Sequence, residues 1–326
     1  MPRRDGPYRR GVAPARERRR AVSPEFSQMS RSFVAVLISN PAAPALDGEA
    51  LASAGAALGG AAPTTLSEGV AAEFQVASDE PDAVRETLAA ALGRRPVDIA
   101  VVPAEGRRKR LLIADMDSTM IEQECIDELA DVVGLKDKVS AITDRAMRGE
   151  IAFEPALRER VGLLAGLPAA ETLSRVLANR ITLTPGAKAL VSTMRANGAY
   201  AALVSGGFTA FTGPIGVALG FDEHRSNTLL DEDGRLTGRV AEPILGREAK
   251  LAALNDLISA RGLERHETLA VGDGANDLAM LQAAGLGVAY RAKPAVAAVA
   301  HASVTHGDLT ALLYLQGYRD DEILRG

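Results

Sequence analysis

The chain has 326 residues, 47% of them apolar, enough for two packed cores. No apolar run approaches the roughly 18 residues that a membrane-spanning helix needs, and the single cysteine, Cys125, excludes an intrachain disulfide and a cysteine-built metal cage. The formal charge of −5 is unevenly placed: nine arginines against Asp5, Glu17 and Glu25 give residues 1–32 a charge of +6, which leaves −11 for the rest.

Residues 1–32 mix arginine with proline and glycine and lack apolar periodicity. Such a segment cannot bury enough surface to offset its ordering entropy, so a disordered arm is expected. It reads as a solvated tail, or as a start placed ahead of true initiation at Met29, rather than as a nucleic-acid or membrane contact. No export signal is expected, because the only apolar stretch behind the arginines, SFVAVLIS, has the length of a strand.

Residues 33–104 follow a β-α-β-β-α-β order: FVAVLIS, GEALASAGAALGG, PTTLSEG, VAAEFQVAS, PDAVRETLAAALG and VDIAVVPA. This order predicts a small α+β ferredoxin-like domain. It resembles the ACT-type regulatory module, which implies amino-acid sensing or a homodimer through this domain; a docking domain without a ligand is the other reading. EGRRKR (105–110) is a charged join.

From there to residue 326, apolar strands alternate with Ala/Leu-rich helices, which predicts a doubly wound parallel α/β sheet, a Rossmann-like core. Three strands end in polar clusters: LLIA at Asp115, AALV at Ser205-Gly206-Gly207, and TLAV at GDGAND, which holds Asp273, Asn276 and Asp277. The carboxyl ends of parallel strands face one crevice, so these clusters are expected to meet. Asp115 and Ser205 lie 90 residues apart, whereas a βαβ unit takes about 30. The surplus predicts an insert at about 122–185, helical by pattern, that lids the crevice. Cys125 lies in it as a small core residue rather than a nucleophile. Further on, Asp233-Gly234 marks a hairpin, read equally as an edge decoration or as part of the site.

The crevice would gather Asp115, Asp117 and Thr119 with Asp273 and Asp277. Carboxylates this close raise one another's pKa unless a cation offsets them, and an oxygen-only ligand set suggests magnesium. DMDST, LVSGG, Lys250 and GDGAND together resemble the four motifs of the haloacid dehalogenase-like phosphohydrolases, over about residues 110–310, and within them the phosphoserine phosphatase branch. The carboxylate Asp115 can attack phosphorus. Asp117 can protonate the departing oxygen and later deprotonate water, a task with no counterpart in a dehalogenase.

The resemblance implies that Mg2+ is held by the Asp115 carboxylate, the Asp117 carbonyl and Asp273, with Asp277 in support. It also implies that Ser205 and the Gly206 amide bind phosphoryl oxygens, that Lys250 sits beside Asp115 and the phosphate, and that Asn276 orients the acceptor side. An amino-acid phosphate needs one acid for its ammonium and one arginine for its carboxylate; of the candidates in the insert, Arg158 among them, the resemblance selects Glu124 and Arg160, with Met147 and Phe153 as lid contacts. The implied activity is hydrolysis of O-phospho-L-serine through an aspartyl-phosphate, the last step of serine biosynthesis, in the cytoplasm and without a nucleic-acid or membrane partner. Transfer of the phosphoryl group to another acceptor, and an amino-acid-binding protein with a vestigial crevice, stay open at this point.

Overall fold

The computed structural model describes residues 32–147 and 150–325, so the arginine-rich arm lies outside the described residues except for Ser32. The first layer runs β1 (Ser32–Ser39), α1 (Gly48–Ala57), β2 (Thr64–Ser67), β3 (Ala71–Ala77), α2 (Pro81–Leu92) and β4 (Val97–Pro103). The Asp47 carboxylate accepts the Ala50 N–H at 2.8 Å and starts α1; Pro81 opens α2, and Gly93 at φ +60° ends it. The sheet order is β2-β3-β1-β4, with β1 antiparallel to both neighbours. Strand β1 begins one residue before the expected start, at Ser32, which pairs with Ala77.

Strand β1 is apolar on both sides because both faces are covered. Ala35 and Leu37 pack with Phe74, Leu88 and Leu92 beneath α1 and α2, whereas Val34, Val36 and Ile38 enter the core that contains Leu312 and Tyr314. Buried charge fastens this second face. The Asp98 carboxylate on β4 accepts the N–H groups of Thr305, His306 and Gly307 at 2.8–3.1 Å. Residues 105–110 are more than a join: Arg107 pairs with Glu73 at 2.7 Å and donates to the carbonyls of Tyr314 and Leu315. Removing Asp98 as Asp98→Ala leaves three N–H groups without their acceptor and is expected to cost about 2 kcal/mol in urea denaturation. A cost below about 0.5 kcal/mol would mean that apolar contact alone holds the layers.

The second layer is a parallel sheet of order β12-β11-β10-β5-β6-β7. Its strands are β5 (Leu111–Ala114), β6 (Tyr200–Phe208), β7 (Glu223–Asn227), β10 (Thr268–Gly272), β11 (Leu286–Tyr290) and β12 (Ala302–Val304). β5 and β10 are buried throughout, which explains their unbroken apolar runs. β5 lies between β10 and β6, so their carboxyl ends open together.

Of the five α-helices described between β5 and β6, the first four form the insert: α3 (Cys125–Val132), α4 (Lys136–Met147), α5 (Phe153–Gly162) and α6 (Ala169–Arg180). They are followed by α7 (Ala187–Ala196), α8 (Thr209–Leu219) and α9 (Arg247–Arg261) on the sheet. The hairpin β8 (Leu229–Glu232) and β9 (Arg235–Val240) turns on Asp233 and Gly234 at φ +52° and +75°. It braces the insert: Gly166 N–H donates to Leu236 O at 2.7 Å and Ala169 N–H to Gly234 O at 2.9 Å. Among the described residues, no helix is long and apolar enough to cross a membrane.

Candidate active site

The Asp115 backbone N–H donates to Val271 O at 3.0 Å, which ties the loop after β5 to β10. Its carboxylate Oδ1 accepts the Met116 N–H at 2.7 Å, and Oδ2 lies 2.6 Å from Lys250 Nζ. Lys250, on α9, is 1% exposed and also reaches Asp277 Oδ1 at 2.6 Å. Asp277 Oδ2 accepts the Gly274 N–H at 3.0 Å. Gly272 is required by this packing, since a Cβ there would stand 2.4 Å from the Asp277 Cγ. Thr119 donates to Asp273 at 3.2 Å.

Asp117 faces two elements. Its Oδ1 accepts the backbone N–H of Cys125 at the start of α3, 3.0 Å away, and its Oδ2 lies 3.4 Å from Ser205 Oγ at the end of β6. Ser205 Oγ in turn accepts the Gly207 N–H at 2.9 Å. A Cβ on Gly207 would stand 2.6 Å from Asp117 Oδ2, so only glycine admits the carboxylate here. Cys125 is 1% exposed and burial pushes its thiol far up, so it is inert as a nucleophile; its backbone, not its sulfur, serves the site.

The electrostatics ask for a cation. Burial and the neighbouring Asp277 hold Asp115 well above the usual carboxylate range against the pull of Lys250. Burial raises Asp117, and burial with Asp277 raises Asp273 to about 6. Burial would lower Lys250, but Asp115 and Asp277 together keep it raised and charged. Asp115, Asp273 and Asp277 offer oxygens within 4.8 Å of one another. Three acidic side chains around one ammonium offer a set of oxygens that fits a hard divalent ion. Asp115 and Asp277 each already serve Lys250 and one backbone N–H, whereas Asp273 takes the longer Thr119 contact at 3.2 Å, so Asp273 offers the freest oxygens of the three.

A cavity of about 660 Å3 extends from Asp115 and Asp117 to the insert, and Asn276 borders it. Glu124 and Arg160 both open onto it. Glu124 Oε1 accepts the Ser118 hydroxyl at 2.6 Å; the surrounding protein and Asp117 push its pKa up, and Ser118 opposes the rise. Arg160, on α5, lies near Thr143 and its own Ala156 carbonyl at 3.3–3.4 Å. Phe153 lays its ring against Gly206, where a Cβ would meet it at 3.1 Å. Arg158 turns away and pairs with Glu242 at 2.8 Å. Met147 ends α4, and its side chain is outside those described.

Sequence reasoning missed Arg247, Lys293 and Asp127, which also line the cavity. Arg247 lies one helical turn before Lys250, and Lys293 follows the end of β11, so helical spacing and the strand-end rule each carried a signal for one of them. Asp127 carried none.

The sequence matches the family model described as haloacid dehalogenase-like hydrolase over residues 112–282, just over half of the chain. It is 45% identical over 255 residues to a phosphoserine phosphatase of Streptomyces coelicolor, covering 78% of this chain and 62% of that protein; the chain thus spans less than two thirds of that relative's length. The fold is similar to a crystal structure of a probable phosphoserine phosphatase from Vibrio cholerae in its unliganded form, with a TM-score of 0.72, 34% identity, and 88% and 86% of the two chains covered. It is also similar to a phospho-aspartyl intermediate analogue of phosphoserine phosphatase, with a TM-score of 0.59, 39% identity, and 64% and 98% covered.

Proposed function

The chain belongs to the haloacid dehalogenase-like hydrolases, and we propose that within them it is a phosphoserine phosphatase that converts O-phospho-L-serine and water to L-serine and phosphate. The observation that carries this reading is the convergence of Asp115, Asp117 and Ser205 from two strand ends, with Lys250 held at 2.6 Å from the first, beneath a cavity that ends on an acid and an arginine.

Arg160 would take the substrate carboxylate and Glu124 its ammonium, while Phe153 and Met147 close the lid side. Ser205, the Gly206 amide and Lys250 would hold the phosphoryl oxygens, and Asn276 the acceptor side. An Asp115 carboxylate oxygen forms a bond to phosphorus as the bond to the seryl oxygen breaks, and the Asp117 proton goes to that oxygen. Burial shifts the Asp117 pKa upward, the direction that favours its carrying that proton. Asp117 then takes a proton from water, whose oxygen attacks phosphorus and frees Asp115 and phosphate. Mg2+, held by the carboxylates of Asp115 and Asp273 and the Asp117 carbonyl with Asp277 in support, would neutralise charge on the phosphoryl oxygens.

The same proposal includes a cytoplasmic setting, the last step of serine biosynthesis, and an ACT-type regulatory or docking role for residues 33–104 with a homodimer through them. The sheet order β2-β3-β1-β4 supports the ACT-type part of that reading. A screen of phosphorylated metabolites with and without magnesium tests the activity. Turnover is expected to be highest on O-phospho-L-serine, to vanish on chelation and to return with Mg2+. A preference for another ester, or turnover indifferent to chelation, overturns the reading.

A further inference from the structure

Ser118 holds φ +54° and ψ +5°, the left-handed region that Gly or Asn enters with less strain. Its N–H is tied to the Gln123 carbonyl at 3.1 Å, so the conformation is fixed by the loop that leads into α3. A serine kept in such a place directs attention to its hydroxyl. That hydroxyl donates to Glu124 Oε1 at 2.6 Å.

The partner matters because Glu124 has a competing destination. It stands at the N-cap of α3, where a carboxylate ordinarily folds back onto the first free amides of the helix, yet its side chain makes no capping hydrogen bond. The amides within reach of a cap from Glu124 are those of Ile126 and Asp127, and the latter already donates to the Glu124 carbonyl at 3.1 Å. Asp117 Oδ1 takes the Cys125 amide before them at 3.0 Å, whereas the Glu124 carboxylate takes the Ser118 hydroxyl and lines the cavity. We propose that Ser118 is a specificity-determining positioning residue, whose hydroxyl holds the Glu124 carboxylate away from the α3 N-terminus and aims it at the ammonium of an amino-acid phosphate. This rests on the phosphoserine reading above.

The test compares kcat/KM for O-phospho-L-serine with that for 3-phosphooxypropanoate, which keeps the carboxylate and lacks the ammonium, in four proteins: wild type, Ser118→Gly, Glu124→Gln and the double variant. Glycine relieves the left-handed backbone, so folding is preserved while the donor is lost. The ratio of the two constants is the readout, because a general loss of activity cancels from it. Ser118→Gly is expected to lower the ratio about tenfold, the size of one hydrogen bond to a charged group, and to lower it no further once Glu124 is Gln. A ratio untouched by Ser118→Gly, or a second fall in the Glu124→Gln background, overturns the proposal while leaving the substrate reading intact. A wild-type protein with no preference between the two esters overturns both.

Discussion

Asp115→Asn is expected to lower turnover by at least about 10³-fold and to abolish the acid-stable phosphoenzyme trapped from radiolabelled substrate, with the fold intact. The amide keeps the carboxylate's shape and still accepts the Met116 N–H from its oxygen, but it offers no anionic oxygen to phosphorus. Stability should move the other way. Burial raises the Asp115 pKa, and a carboxyl whose folded value exceeds its unfolded one stabilises the fold fully only below about pH 4, losing that contribution as pH rises through the folded value. Without metal, ionising the buried Asp115 carboxyl is therefore a burden that Lys250 and the Met116 N–H offset only in part. The neutral variant is expected to melt no lower than wild type by circular dichroism. Near-normal turnover in a protein free of wild-type contamination would falsify the nucleophile assignment.

The parts of the site that were legible in the sequence share one property: their signal is local. Asp115, Ser205 and Asp273 each end an unbroken apolar run, and in a parallel sheet that alone places them in one crevice. Lys250 was legible from its motif and its distance to Asp273. The helical insert was legible as surplus length between β5 and β6. What stayed hidden depends on partners far away in the chain. Arg107 looked like part of a solvated join, yet its carboxylate partner is 34 residues before it and its carbonyl acceptors more than 200 after it. Asp98 looked like an ordinary polar strand residue, and its three donors come from a loop more than 200 residues on. Cys125 was read correctly as a buried side chain, but the group that serves Asp117 is its amide, which every residue but proline possesses. The hairpin around Gly234 was legible as a hairpin and not as a brace, because its hydrogen bonds go to the lid's own backbone at Gly166 and Ala169, which no sequence pattern reports.

Lys250→Met is expected to be the most damaging single change to the metal-free fold, costing about 3–5 kcal/mol at pH 8 together with nearly all activity. Methionine fills much of the same space, so the loss isolates the charge. Lys250 is 1% exposed and stands 2.6 Å from both Asp115 and Asp277, and without it two carboxylates with 6% and 0% side-chain exposure face each other uncompensated. The pH dependence identifies the cause. Lysine's own contribution is constant from pH 5 to 8, because its raised folded pKa keeps it charged throughout and its stabilisation fades only as pH rises through that value. Any change with pH in the variant therefore comes from the acids whose pKa Lys250 had held down, Asp115, Asp117 and Asp273, which rise further without it. Protonation relieves them as pH falls, so the deficit in urea denaturation should shrink between pH 8 and pH 5. Millimolar Mg2+ should recover part of the stability at pH 8, since a divalent ion near Asp115 and Asp273 supplies the missing positive charge, but not the activity, since the ammonium beside the phosphate is still gone. A deficit independent of both pH and Mg2+ would assign the loss to packing instead.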